Sequence, residues 1–151
     1  MKKIKSFTVD HNLLNKGMYI SRIDGDIITY DIRIKKPNGG DYITPKALHT
    51  LEHLLATYVR NSSLGENVIF MGPMGCRTGF YFLTRDKITN NEAISLIKDS
   101  LEFVNNFKGE IPGNKKQECG NYLEHDLAEA KVIAKDMINV LDNWDENKLN
   151  Y

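Results

Sequence analysis

Across MYISRIDGDIITYDIRI, residues 18–34, apolar and polar side chains alternate on both sides of Asp24-Gly25. Alternation with period two marks a half-buried strand, and an Asp-Gly pair between two such runs favours a tight hairpin turn. The pattern predicts antiparallel strands at about 18–23 and 27–35, ended by Pro37-Asn38-Gly39-Gly40. The period then changes. Leu48, Leu51, Leu55 and Val59 recur at helical spacing behind Thr44, a capping residue, and Pro45, which suits a first turn. This helix is expected to run to about Asn61, before Gly65. Residues 67–71 (NVIFM) read as a short buried strand and 78–85 (TGFYFLTR) as another, with the turn GPMGC between them. Thr89 and Glu92 have capping-box spacing for a second helix over about 90–107. KGEIPGNKKQECGN is loop-like, and a third helix is predicted from about Tyr122 to Leu141. The tail DNWDENKLNY is polar and is expected to dock loosely, if at all.

Strands and helices mix here without a regular βαβ alternation. That favours an α+β fold with a mainly antiparallel sheet packed against helices. At 151 residues the chain reads as one domain, 1–151, large enough to bury a core without disulfides. The 20 basic and 20 acidic residues cancel, which leaves no electrostatic footprint for nucleic acid or an anionic membrane. No apolar run approaches the roughly 20 residues needed to span a bilayer. The start, MKKIKSFTVDH, has no apolar signal core behind its basic residues, so secretion is not expected. The two cysteines, Cys76 and Cys119, are expected to stay reduced, and the expected compartment is the cytoplasm.

The candidate chemistry centres on HTLEH, residues 49–53. His49 and His53 lie one helical turn apart, so both imidazoles point the same way and can present two nitrogens to one ion. Glu52 lies near that face. Taken alone, the pair reads equally as an ordinary solvated face. Cys119, in the loop sequence ECGN, could bend back as a third ligand; three protein ligands leave a fourth position open, the mark of a catalytic zinc-type site. An isolated cysteine reads otherwise as a small packed residue. Cys76 sits on a tight turn entering a strand, flanked by Gly75 and Arg77, where a nearby cation or metal would favour the reactive thiolate. H-x-x-E-H is also the reversed zinc-protease signature, with the glutamate as general base. A metallopeptidase is therefore a rival, with Glu118, Glu124 or Glu129 as third ligand. Against it, the chain is short for a two-part substrate chamber, and a reactive cysteine has no role in that hydrolysis. A third reading is a non-catalytic metal domain closed by His11 or His125.

Taken together, SFTVDHN, YDIRI followed by PN, HTLEHLLA with Arg60 beyond it, PMGCRTGFY and CGNYLEHDL resemble the S-ribosylhomocysteine lyase family, the LuxS-type autoinducer-2 synthases. The resemblance runs over nearly the whole chain. It implies that His49, His53 and Cys119 are metal ligands and that Glu52 and Cys76 are the paired acid–base residues. It further implies that Ser6, His11 and Arg33 contact the ribose end of the substrate, and Arg60 joins them as a substrate-binding candidate. The implied cofactor is one divalent ion per subunit, ferrous iron with zinc or cobalt able to substitute. The implied assembly is a homodimer with interfacial sites, in which the amino-terminal arm reaches into the partner's pocket. The implied fold is an α+β sandwich shared with the inverted-motif peptidases. One position departs from the family pattern: Phe70 stands where an aspartate is usual, near the homocysteine end, so a carboxylate contact is lost there while the metal and acid–base set is intact.

Overall fold

The computed structural model describes residues 1–151. Its elements in chain order are β1 (Gly17–Asp24), β2 (Ile27–Arg33), α1 (Pro45–Asn61), β3 (Val68–Pro73), β4 (Gly79–Arg85), α2 (Asn90–Asn106) and α3 (Leu127–Val140). The strands form one antiparallel sheet in the order β1-β2-β4-β3. This is the expected α+β arrangement. The β1–β2 hairpin turns at Asp24-Gly25 with Gly25 at φ 60°, the left-handed backbone that glycine adopts without a side-chain penalty. β2 stops at Arg33 rather than at residue 35, because the N–H groups of Ile34 and Lys35 both donate to the Thr78 carbonyl instead of continuing the ladder. β3 continues through Pro73, two residues beyond expectation.

Period-two alternation gives the sheet two different faces. Met18, Tyr30, Ile32, Phe80 and Phe82 point to one side, are fully buried and pack against the helices. Tyr30 keeps its hydroxyl satisfied by donating to Asn90 Oδ1 at 2.8 Å. Tyr19, Thr29, Asp31, Arg33 and Tyr81 alternate with that set and point the other way, to the face opposite the three α-helices. α1 presents Ala47, Leu51, Leu54, Leu55 and Val59 to the core, while Leu48 sits at the margin. Thr44 caps the helix, and its hydroxyl in turn donates to Glu129 on α3 at 2.6 Å. α2 begins with the expected capping box of Thr89 and Glu92.

Two expectations need correction. α3 begins at Leu127, not at Tyr122. The backbone before it is committed elsewhere: the Glu124 carbonyl accepts from His49, the Asp126 N–H donates to Thr50, and Asp126 then caps the helix through Glu129 N–H. The tail, expected to dock loosely, is packed. Leu149 is 1% exposed and its carbonyl accepts from Ile20 N–H on the outer edge of β1. The Trp144 indole donates to the Met18 carbonyl at 2.9 Å and lies across Gly17, where any Cβ would collide with the ring. Two apolar residues in a charged stretch were enough to anchor it. No helix is long and apolar enough to cross a membrane.

If the tail closes the β1 edge, Leu149→Ala should lower unfolding stability by about 2–4 kcal/mol. Denaturation followed by the fluorescence of Trp144, the single tryptophan, measures it; a loss under about 0.5 kcal/mol, the range of surface substitutions, would show that the docking contributes nothing.

Candidate metal centre and active site

α1 carries the first cluster on the face turned toward the loop before α3. The Nδ1 atoms of His49 and His53 lie 2.8 Å from the Glu124 carbonyl and 2.7 Å from the Pro112 carbonyl. A carbonyl only accepts, so each Nδ1 carries the proton and each Nε2 is left as a bare lone pair. The rings meet edge to face at 4.5 Å. Cys119 Sγ lies 3.3 Å from His49 Nε2 and 3.8 Å from His53 Nε2, and accepts from the Asn121 N–H. A tetrahedral ion with ordinary Zn–N and Zn–S bonds sets each N···S edge at about 3.6 Å. The two separations bracket that value, so the residues fit a divalent ion.

His125 joins this cluster. The Thr50 hydroxyl donates to the Lys46 carbonyl and accepts from Asp126 N–H, so its single proton is already used. His125 Nδ1–H must therefore donate to it, at 3.0 Å, which leaves Nε2 bare, buried and without a partner. The ligand atoms of His49, His53 and His125 lie within 4.8 Å of one another, a second grouping able to hold a metal. Two nitrogens on one tetrahedral ion stand about 3.3 Å apart. Moreover, the His125 ring stacks on His49 at 4.3 Å and 15°, so an ion in the plane of one ring is displaced from the plane of the other. Cys119 therefore completes the pair better than His125 does. Burial, with His49 and His53 next, pulls the His125 pKa below the ordinary histidine range and keeps it neutral.

Glu52 is half-buried on the same helix turn, and its carboxylate makes no hydrogen bond or ion pair. None of the carboxylates that a peptidase would need reaches the imidazoles. Glu124 is held by Asn121 Nδ2, Glu129 by Thr44, and Glu118 is exposed in the loop. His11, a proposed closing ligand, lies elsewhere, with its Nδ1 against the Val9 carbonyl.

The second cluster occupies the β3–β4 turn and the sheet face opposite the α-helices, which residues of the amino-terminal segment and Tyr151 cover. Cys76 is exposed on that turn, and both cysteines are free thiols. Arg77, which follows it, takes a left-handed φ of 59° and turns away, donating to the Ile43 carbonyl and lying over Tyr42. The cation beside the thiol is Arg33 instead. Arg33 pairs with Asp31 on the same strand through contacts of 2.6 and 3.1 Å, and both side chains are almost fully buried. Arg33 also donates to Thr78 Oγ1 at 2.7 Å, and Thr78 Oγ1 is 3.1 Å from Cys76 Sγ. Tyr151 donates to Asp31 at 2.7 Å, and its pKa is raised by burial first and then by the Asp31 charge. Burial acts to lower the pKa of Arg33, but Asp31, and to a smaller extent Cys76, outweigh it and hold it above its ordinary value.

Ser6, His11, Arg33, Asp31 and Tyr81 line one small recess on this face. It continues, through Ser6 and Tyr81, into a cleft of about 620 Å³ walled by Phe70 and Leu83. Phe70 is 46% exposed, with its ring over Gly72, where a Cβ would collide with it. Arg60 is separate from both clusters: it is exposed at the end of α1 and donates to the Ile69 carbonyl at 2.8 Å. Asp31, Thr78 and Tyr151 escaped the sequence reading. Asp31 and Arg33 had a signal, two charges two apart on a strand buried on both faces. Tyr151 had none.

Comparison with known proteins fits this geometry. The family model for S-ribosylhomocysteinase (LuxS) matches residues 4–148. An S-ribosylhomocysteine lyase of Clostridium acetobutylicum is 43% identical over 156 residues, covering 100% of this chain and 99% of that protein. Those of Porphyromonas gingivalis and Borreliella afzelii, at 43% over 157 residues and 44% over 156, cover the same shares. Two imidazoles and a thiol around one point, with a separate thiol beside a buried arginine, thus occur in a chain that belongs to the LuxS family.

Proposed function

We propose that this chain is an S-ribosylhomocysteine lyase, which releases homocysteine and 4,5-dihydroxy-2,3-pentanedione. The observation that carries this reading is the convergence of two tautomer-fixed Nε2 lone pairs and the Cys119 thiol in a LuxS-family chain. His49, His53 and Cys119 would hold one divalent ion per subunit, which we take to be ferrous iron, with zinc or cobalt able to replace it. When bound, the ion supplies Lewis-acid stabilisation of charge on the sugar oxygens, worth several kcal/mol.

The chain's own residues move the protons. Cleaving the thioether requires the ribose carbonyl to migrate from C1 to C2 and then to C3, after which the sulfur leaves C5 by β-elimination. Each step removes a proton beside a carbonyl. Cys76 Sγ takes the first proton, from C2, and returns it at C1. Glu52 serves the later transfers, removes the C4 proton and protonates the departing sulfur, a role open to it because no donor holds its carboxylate. Ser6, His11 and Arg33 bind the ribose end in the sheet-face recess. Phe70 offers the other end an apolar wall in place of a carboxylate, and Arg60 can meet only a part of the substrate that reaches the Ile69 edge.

Each cluster supplies half of this chemistry, and no hydrogen bond joins the two within one chain. The His–Cys cluster faces the loop before α3, whereas the recess lies on the sheet face opposite the α-helices, which Leu13 and Phe70 border with exposed side chains. We therefore read the working form as a homodimer in which Cys76 of one chain faces Glu52 and the metal ligands of the other. Two free thiols suit the reducing cytoplasm, where we place it.

Three experiments bear on these roles. His53→Ala and Cys119→Ala should purify folded with under about a tenth of the wild-type metal, read by elemental analysis; full occupancy would remove them as ligands. Cys76→Ala and Glu52→Gln should keep metal and substrate binding while homocysteine release falls by about 10²–10⁴-fold; wild-type turnover in either would end its assignment. Refolding Cys76→Ala together with His53→Ala should restore about a quarter of wild-type activity, since half the dimers are mixed and each regains one complete site. No recovery would place each site within a single chain.

A further inference from the structure

Thr78 belongs to none of the assigned sets, yet it is the only link between the buried ion pair and the exposed thiol. Arg33 Nη1 has protons and no acceptor, so at 2.7 Å from Thr78 Oγ1 it must be the donor there. The single Thr78 proton then points elsewhere. Thr78 is 2% exposed, so no water competes for it, and its other hydrogen-bonding neighbour is Cys76 Sγ at 3.1 Å. We infer that Thr78 is a positioning residue that donates its hydroxyl proton to Cys76 Sγ, its direction fixed by Arg33 on the opposite side.

The surroundings leave the hydroxyl little freedom. The Thr78 carbonyl is clamped by the N–H groups of Ile34 and Lys35, each at 2.9 Å. Gly79, the next residue, lies so close to the Ile32 carbonyl that no side chain fits there. Arg33 is fixed in turn by Asp31, which also accepts from Tyr151. Donors therefore run outward from the buried pair through Thr78 to the sulfur, and a hydrogen bond received by sulfur favours the thiolate. This assignment rests on the reading of Cys76 as the first proton acceptor, but the hydrogen bond can be tested without turnover.

The test uses the full-length, metal-loaded protein and the variants Thr78→Val, Thr78→Ala and Thr78→Ser. Alkylation of Cys76 by iodoacetamide at pH 7, followed on its peptide by mass spectrometry, should slow about tenfold in Val and Ala, the loss of one charge-assisted hydrogen bond. It should return to within about twofold of wild type in Ser, which keeps the hydroxyl. kcat should follow the same order while KM stays nearly constant. Folded Val or Ala variants that alkylate at the wild-type rate would overturn the inference, as would a Ser variant as slow as Ala. If Cys76→Ala proves active, the catalytic reading of Cys76 fails, and the alkylation series still decides whether Thr78 donates to the sulfur.

Discussion

Two backbone carbonyls hold the candidate metal centre together. Glu124 and Pro112 lie 75 and 59 residues from the imidazoles they engage, on a segment with little regular structure. By accepting from Nδ1 they fix the tautomer of both rings, aim both Nε2 atoms at one point and tie the loop to α1. Cys119 lies between those anchors, so the contacts that orient the two imidazoles also bring its thiol beside them. The same demand shortens α3: Glu124 and Asp126 give their backbone groups to side chains of α1, and the helix begins only at Leu127. A metal site with an open position needs such outer partners, because an imidazole free to rotate does not hold a lone pair on target.

The second cluster, around Cys76, is built on a buried ion pair. Replacing Asp31 and Arg33 by matched apolar residues would not be expected to harm stability, since desolvation offsets most of the attraction between buried charges. Their value lies in direction. A guanidinium fixed by one carboxylate has donors left over, and one of these faces Thr78. The sheet makes this possible because its other face, filled by Tyr30, Ile32, Phe80 and Phe82, supplies the hydrophobic core. One face stabilises the fold, and the other is free to be polar.

Much of this was legible in the residues. Asp24-Gly25 announced the hairpin, Thr44-Pro45 the start of α1, and Thr89 with Glu92 the start of α2, because each is a local signal read over a few residues. The His pair was legible for the same reason: helical spacing brings positions 49 and 53 together. Cys119 was harder, since nothing local aims it at α1: its loop position allowed it to bend back, and the family resemblance implied a ligand role. Arg77 shows the limit of proximity in sequence. It adjoins Cys76 yet turns to Tyr42, while Arg33, 43 positions earlier, reaches the thiol's neighbour through strand pairing of β2 with β4. The tail failed for a related reason. Its composition is polar, and only the groove beside β1 explains why Trp144 and Leu149 are held.

That tail also sets an order of events. Tyr151 bonds to Asp31 across 120 residues, and Leu149 pairs with Ile20 over a still longer separation. The polar network beneath Cys76 is thus begun on β2 and completed by a residue far from it in the chain. The hairpin and α1 form from local contacts, whereas the edge of β1 is covered only when residues distant in the chain reach it. Contacts of such long range slow folding and leave that edge unpaired meanwhile. For this protein, the polar network under Cys76 and the closure of the β1 edge are therefore expected among the slow, late steps of folding.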